Sequence, residues 1–181
     1  MVSATEQRRF AGVVLVVLLL DLATKLAAEI WLRRYVGIPI VGDFFQLRLV
    51  YNPGAAFGIN VGEYSRWVFM ALSIAALFVL GGMLRTTRPG DGVRVYSLAL
   101  ICAGAAGNLV DRFRSARGVV DFLDFTFGTF HFPTFNVADS AVTCGACLLA
   151  LSLWNDGRHT APEAELPPAA PPASAAPSAG S

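Results

Sequence analysis

The chain has 181 residues, of which 55% are hydrophobic and only 15% charged, where a soluble domain carries nearer a quarter charged. That composition excludes an ordinary soluble enzyme. The formal net charge of +1 offers nucleic acid no basic surface, so no nucleic-acid partner is expected.

Four apolar runs read as membrane spans. The first, Phe10 to Trp31, is interrupted only by Asp21, Lys25 and Glu29. Arg8 and Arg9 ahead of it imitate a signal peptide, but the charges at Asp21 and Lys25 do not fit an apolar signal core, so a retained span is expected. Trp67 to Leu84 is 18 residues without a charge, just enough to cross a bilayer core. Val95 to Val110 contains Ala99, Ala103, Gly104 and Gly107, small residues that let helices approach closely in lipid. Val137 to Trp154 is the fourth span and contains Asp139.

Four spans put both ends of the chain on one side of the membrane. Arg8, Arg9, Arg85, Arg88, Arg94 and Arg158 flank that side, and Arg33, Arg34, Arg48, Arg66, Arg112, Arg114 and Arg117 the other. So even a balance leaves orientation undecided by charge.

Two segments between spans read as strands. Asp43 to Tyr51 partly alternates, with Phe45, Leu47, Leu49 and Tyr51 on one face; Phe125 to Phe132 alternates with a break at Gly128. Sheet this apolar is expected to lie on the bilayer surface, aromatic side down. The expected fold class is therefore membrane all-α, with four transmembrane helices and a small surface-lying β segment. Residues 1–159 form one domain, and 160–181 an Ala/Pro-rich tail expected to be disordered.

Chemistry is sought among the acids. An Asp at the centre of a membrane helix costs about 2.5–3.5 kcal/mol, less near an end, so such a residue has a function by default. Asp21 and Lys25 stand at i and i+4 and can neutralise each other, either as a bundle-closing ion pair or in a site. Asp111 and Arg112 end the third span and read as an interfacial charge pair. If Asn136 caps the fourth span, Asp139 is its third residue, where the helix's free N–H groups favour a carboxylate by up to roughly 1 kcal/mol. Capping and catalysis are both open to it. Its partner is Asp121 or Asp124, which spacing alone does not separate.

Other catalytic schemes lack their residues. No HExxH, GxSxG or glycine-rich phosphate loop occurs, and His131 and His159 are too few for a zinc site. The single lysine, Lys25, stands opposite Asp21, and Cys102, Cys144 and Cys147 lie in apolar runs as small packing residues. Paired carboxylates remain. Two carboxyls in contact share one proton and titrate as a unit; the ionised one activates water while the protonated one bonds the scissile carbonyl. No metal or cofactor is required. Two readings from other classes also use these acids: a transporter or helper subunit relaying charge through Asp21, Lys25 and Asp139, or a structural bundle in which every acid is a cap or an ion pair.

Five runs in order, Asp21-x-x-x-Lys25, Asn52-Pro-Gly-Ala-Ala-Phe57, Gly104-Ala-Ala-Gly-Asn-Leu-Val-Asp-Arg112, Val119-Val-Asp-Phe122 and Phe135-Asn-Val-Ala-Asp-Ser140, resemble the prolipoprotein signal peptidases (signal peptidase II) of bacteria. The resemblance implies an aspartic endopeptidase of the inner membrane that cleaves the signal peptide of a diacylglyceryl-modified prolipoprotein just before the lipidated cysteine. It places the catalytic aspartates on Asp121 and Asp139, and supporting or substrate-binding roles on Asp21, Lys25, Asn52, Gly104, Asn108, Arg112 and Asn136. It also implies cytoplasmic termini, an extracytoplasmic β segment and a site near the outer leaflet. The partners expected are the lipid-modified substrate and membrane lipids, with the chain acting as a monomer.

Overall fold

The apolar runs mark the bodies of the helices, and polar caps decide where three of the four begin. In the structure, a computed structural model describing residues 2–34, 36–54 and 62–159, α1 spans Ala4–Trp31 and so starts six residues before its apolar run. Ser3 and Glu6 form a capping box: Ser3 N–H donates to Glu6 at 2.7 Å and Glu6 N–H to the Ser3 hydroxyl at 3.2 Å. The other Glu6 oxygen accepts Gly90 N–H at 2.7 Å, tying this end of α1 to the connection between the next two helices. Helix α2 spans Ser65–Thr86, α3 spans Gly92–Arg114 with Asp91 as its N-cap, and α4 spans Val137–His159.

All four are long and apolar enough to cross a membrane. Helix α3 is the centre of the bundle and packs on α1, α2 and α4; Val95, Leu98, Ala99, Cys102, Ala103, Gly104 and Gly107 along it are buried. Leu15, Val16, Leu19, Phe78 and Val79 face outward, as a bundle dissolved in hydrocarbon requires. The small residues of α3 allow the close approach expected of them. A Cβ at Gly104 would run into the Ala138 carbonyl and Val142 of α4, and one at Gly107 into the Asp21 carboxylate of α1.

Four antiparallel strands follow one another across a single sheet: β1 (Ile38–Val41), β2 (Phe45–Asn52), β3 (Val119–Phe127) and β4 (Phe130–His131). Strand β3 begins six residues ahead of the alternating run. Val119, Val120, Asp121 and Phe122 are all buried, so both faces of this stretch are covered and no alternation marks it. The face of β2 also departs from expectation. Leu49 and Tyr51 pack with Val120 and Phe122 against Ala28 of α1, rather than lying open toward lipid. Aromatic surface is left at the sheet's far end, where Phe44 meets Phe125 and Phe127 edge-on, Phe45 stacks on Phe125, and Phe132 meets Phe135 edge-on. The tail 160–181 and Ala55–Phe57 of the proline-glycine run lie outside the described residues.

Gly104→Ala is expected to lower the melting temperature in detergent, since overpacking against backbone costs about 1–3 kcal/mol. Gly81→Ala on α2, where an added Cβ meets nothing within 4 Å, should leave it unchanged or raise it.

Candidate active site

Strand periodicity separates the two acids of β3. Successive side chains point to opposite faces, so Asp121 and Asp124, three apart, point oppositely. Asp124 pairs with Arg48 at 3.0 Å and with His131 at 3.1 Å. Asp121 stands opposite Val50 on β2, past a bulge where β2 carries one extra residue between Leu47 and Val50. On the other side of β3, Phe122 and Leu123 donate to the Phe135 carbonyl and Phe135 N–H returns to Leu123. That pairing delivers the next residue, Asn136, to Asp121.

Asn136 is fully buried and joins both acids. Its side-chain amide donates to Asp121 Oδ1 at 2.7 Å, and also lies 3.1 Å from Asn108 Oδ1 and 3.2 Å from the Val120 carbonyl. Its Oδ1 accepts Asp139 N–H at 2.9 Å, while its own N–H donates to Asp139 Oδ2 at 3.2 Å. This reciprocal cap is the N-terminus of α4, so one residue starts the helix and touches both carboxylates. Asn108 Nδ2 donates to the second Asp139 oxygen at 2.7 Å.

Burial governs the charge state of Asp121. With 3% of its surface exposed, its carboxyl is pushed from the ordinary 3.8 up to about 7, first by desolvation and then by the negative charge of Asp139, against the hydrogen bonds of Asn52 and Asn136. Asn52 ends β2, and its Oδ1 also accepts Gly54 N–H at 3.0 Å in a turn. Gly118, at φ +98°, lets the chain entering β3 pass against the Asn52 backbone. Arg112 donates to the Asn108 carbonyl at 3.1 Å, lies over the Phe69 ring at 5.5 Å, and is within electrostatic reach of Asp139 and Asp121.

Lys25 Nζ lies 2.8 Å from Asp21 and donates to Asn108 Oδ1 at 3.0 Å, which connects this ion pair to Asp139 through the Asn108 amide. It also lies 2.9 Å from Asp111. Asp111 is thus wholly buried with the lysine, rather than paired at the interface with its neighbour Arg112. The signal was present: Gly104, Gly107, Asn108 and Asp111 stand at i, i+3, i+4 and i+7, one helical face. All nine residues expected at the site lie toward one end of the bundle, Gly104 at the contact of α3 with α4. No group of three or more His, Cys, Asp or Glu positioned for a metal occurs among the described residues.

Comparison with known proteins agrees with this architecture. The family model described as signal peptidase (SPase) II matches residues 13–155. The lipoprotein signal peptidase of Geobacter metallireducens is 40% identical over 153 residues, which cover 84% of this chain and 94% of that protein. The lipoprotein signal peptidase of Paraburkholderia phytofirmans is 44% identical over 142 residues, or 77% and 81% of the two chains. A solved bacterial membrane enzyme superposes with a TM-score of 0.77 at 26% identity, over 86% of this chain and 93% of its own. A second reaches 0.73 at 28% identity, over 82% and 94%.

The raised carboxyl of Asp121 makes stability depend on pH. Between about pH 3.8 and 7 the folded chain keeps a proton there that the unfolded chain releases, so stability from this group falls as pH rises through that window. Asp121→Asn should remove the fall. Its melting temperature should gain on the unsubstituted protein between pH 5 and pH 8, as read by thermal unfolding in detergent.

Proposed function

This chain belongs to the signal peptidase II family, and on that premise we propose that Asp121 and Asp139 hydrolyse the signal peptide of a diacylglyceryl-modified prolipoprotein. The bond cut is the one just before the lipidated cysteine. The observation that carries this reading is the contact of one buried residue, Asn136, with both carboxylates.

The environments of the two acids divide the work. Asp139 accepts the Asn136 N–H and the Asn108 amide at the N-terminus of α4, and these two bonds fix its carboxyl oxygens in place. It is the general base that takes a proton from the attacking water. Asp121, carrying its proton near neutrality, donates a hydrogen bond to the scissile carbonyl as negative charge develops on that oxygen. When the tetrahedral intermediate collapses, the proton taken up at the pair goes to the leaving amine. Arg112 offsets the charge of the pair from α3, and Asn52 and Asn136 hold the orientation of Asp121. Paired carboxylates supply both acid and base, so the chemistry calls for no metal and no cofactor.

The substrate brings its own membrane anchor, and the aromatic end of the sheet, from Phe44 to Phe135, suits an acylated chain arriving from lipid. The placement that goes with this reading is the bacterial inner membrane, with cytoplasmic termini, the pair near the outer leaflet, and a single chain sufficient for activity.

Purified protein in detergent, given a diacylated and a non-diacylated prolipoprotein, should cut only the first. Asp121→Asn and Asp139→Asn should each lower cleavage by at least about a thousandfold while the protein remains folded; normal turnover by either variant removes that residue from the mechanism. Loss of the Asp121 proton should make kcat/KM fall above about pH 7, approaching tenfold per pH unit.

A further inference from the structure

The residue just ahead of each acid is held by its backbone. Val120 N–H, one residue before Asp121, donates to Asp111 Oδ2 at 3.2 Å. Ala138 N–H, one residue before Asp139, donates to Asp21 Oδ1 at 2.9 Å. Between the two accepting carboxylates stands Lys25, whose Nζ lies 2.8 Å from Asp21 Oδ2 and 2.9 Å from Asp111 Oδ2. Asp21, Lys25 and Asp111 each have no exposed surface. Three charges thus run as a bridge from β3 to α4, and each end grips a peptide one Cα step, about 3.8 Å, from a carboxylate-bearing residue.

We propose that Asp111 is a positioning residue: with Lys25 and Asp21 it forms a buried acid–base–acid bridge that sets the spacing of Asp121 and Asp139 through the backbone N–H preceding each. The proposal rests on the reading of Asp121 and Asp139 as the catalytic pair. Its physical basis is the strength of a hydrogen bond in a low-dielectric interior, and both accepting carboxyls are held in place by one shared lysine, Lys25. Asp111 is also steadied from outside, by Arg114 at 3.4 Å, which itself pairs with Glu29 at 2.8 Å. Neither Asp21 nor Asp111 touches the water or the peptide in the proposed chemistry; each acts on geometry alone.

The experiment uses the full chain in detergent with a diacylated prolipoprotein, and rates are normalised to the folded fraction well below the melting temperature. Asp111→Ala removes the acceptor, and Asp111→Asn keeps an acceptor for Val120 N–H but loses the charge facing Lys25. Expected for Asp111→Ala is a fall in kcat of about a hundredfold, the scale of an ångström's misplacement, with KM within about threefold of the unsubstituted protein. Asp111→Asn should recover part of that loss.

The pH profile supplies a readout that loss of folded protein does not move. The groups facing Asp121 are Asp139, Asn52, Asn136, Lys25 and Arg112. A pair held further apart repels less, and Lys25 relieved of Asp111 is a stronger positive neighbour. Both changes move the alkaline fall of kcat to lower pH in either Asp111 variant, by about half a pH unit or more. Combining Asp111→Asn with Asp21→Asn should cost less than the product of the single losses, because both act through Lys25.

Wild-type kcat in Asp111→Asn, an unmoved alkaline limb, or simple multiplication of the two losses would overturn the bridge. If Asp111→Ala does not accumulate as folded protein, Asp111→Asn carries the same readouts. A substrate left uncut by the unsubstituted chain, or cut normally by Asp121→Asn, overturns the protease reading and the bridge with it. Normal cleavage by the unsubstituted chain, none by Asp121→Asn and an unimpaired Asp111→Asn overturn the bridge alone.

Discussion

A charge surrounded by hydrocarbon has to bring its counter-charge with it, and the polar end of this bundle is built around that constraint. Lys25 is fully buried, and Asp21, Asp111 and Asn108 surround its ammonium. Asn108 then spends its amide on Asp139, and Asn136 spends its own on Asp121. From the lysine to both acids every link is a hydrogen bond or an ion pair between buried or half-buried groups. In such a network a missing partner exposes its neighbour to the full cost of desolvation. The packing of α3 on α1 and α4 and the geometry of the acids are therefore one requirement.

The same constraint explains what could be read from the amino-acid sequence. The four spans were legible because long, mostly apolar runs of about the length that crosses a bilayer have few other uses. Asn136 and Asp139 were legible as a cap because three-residue spacing is local. The start of α1 was not, since its signal is the polar Ser3–Glu6 pair ahead of the apolar run. Strand β3 was entered late because residues buried on both faces do not alternate, and β1 gave no signal that separated it from a loop.

Telling the surroundings of Asp121 from those of Asp124 takes the strand's register, which spacing in the sequence does not supply. Once β3 is in place, alternation alone sends Asp124 to Arg48 and His131. Adjacency in sequence pairs Asp111 with Arg112, whereas the helical face it shares with Gly107 and Asn108 leads to Lys25. The meeting of Asn52 with Asp121 joins residues 69 positions apart, through a sheet pairing. Local pattern carries no information about such a contact.

The arrangement of the helices has a consequence for how this protein can suit membranes of different depth. Asp21 and Lys25 lie in the second half of α1, Asn108 to Arg112 at the close of α3, and Asn136 and Asp139 at the opening of α4. Adding or deleting a residue there would turn a side chain by about 100° and take it out of the network. At the other pole, Glu6 holds the Gly90 peptide on the connection between α2 and α3, above apolar packing of Phe10 and Val14 against Leu80 and Leu98. Growth or trimming of the spans to match a thicker or thinner bilayer thus has an obvious place to occur: the pole away from the acids, where a change of length leaves the polar network in register.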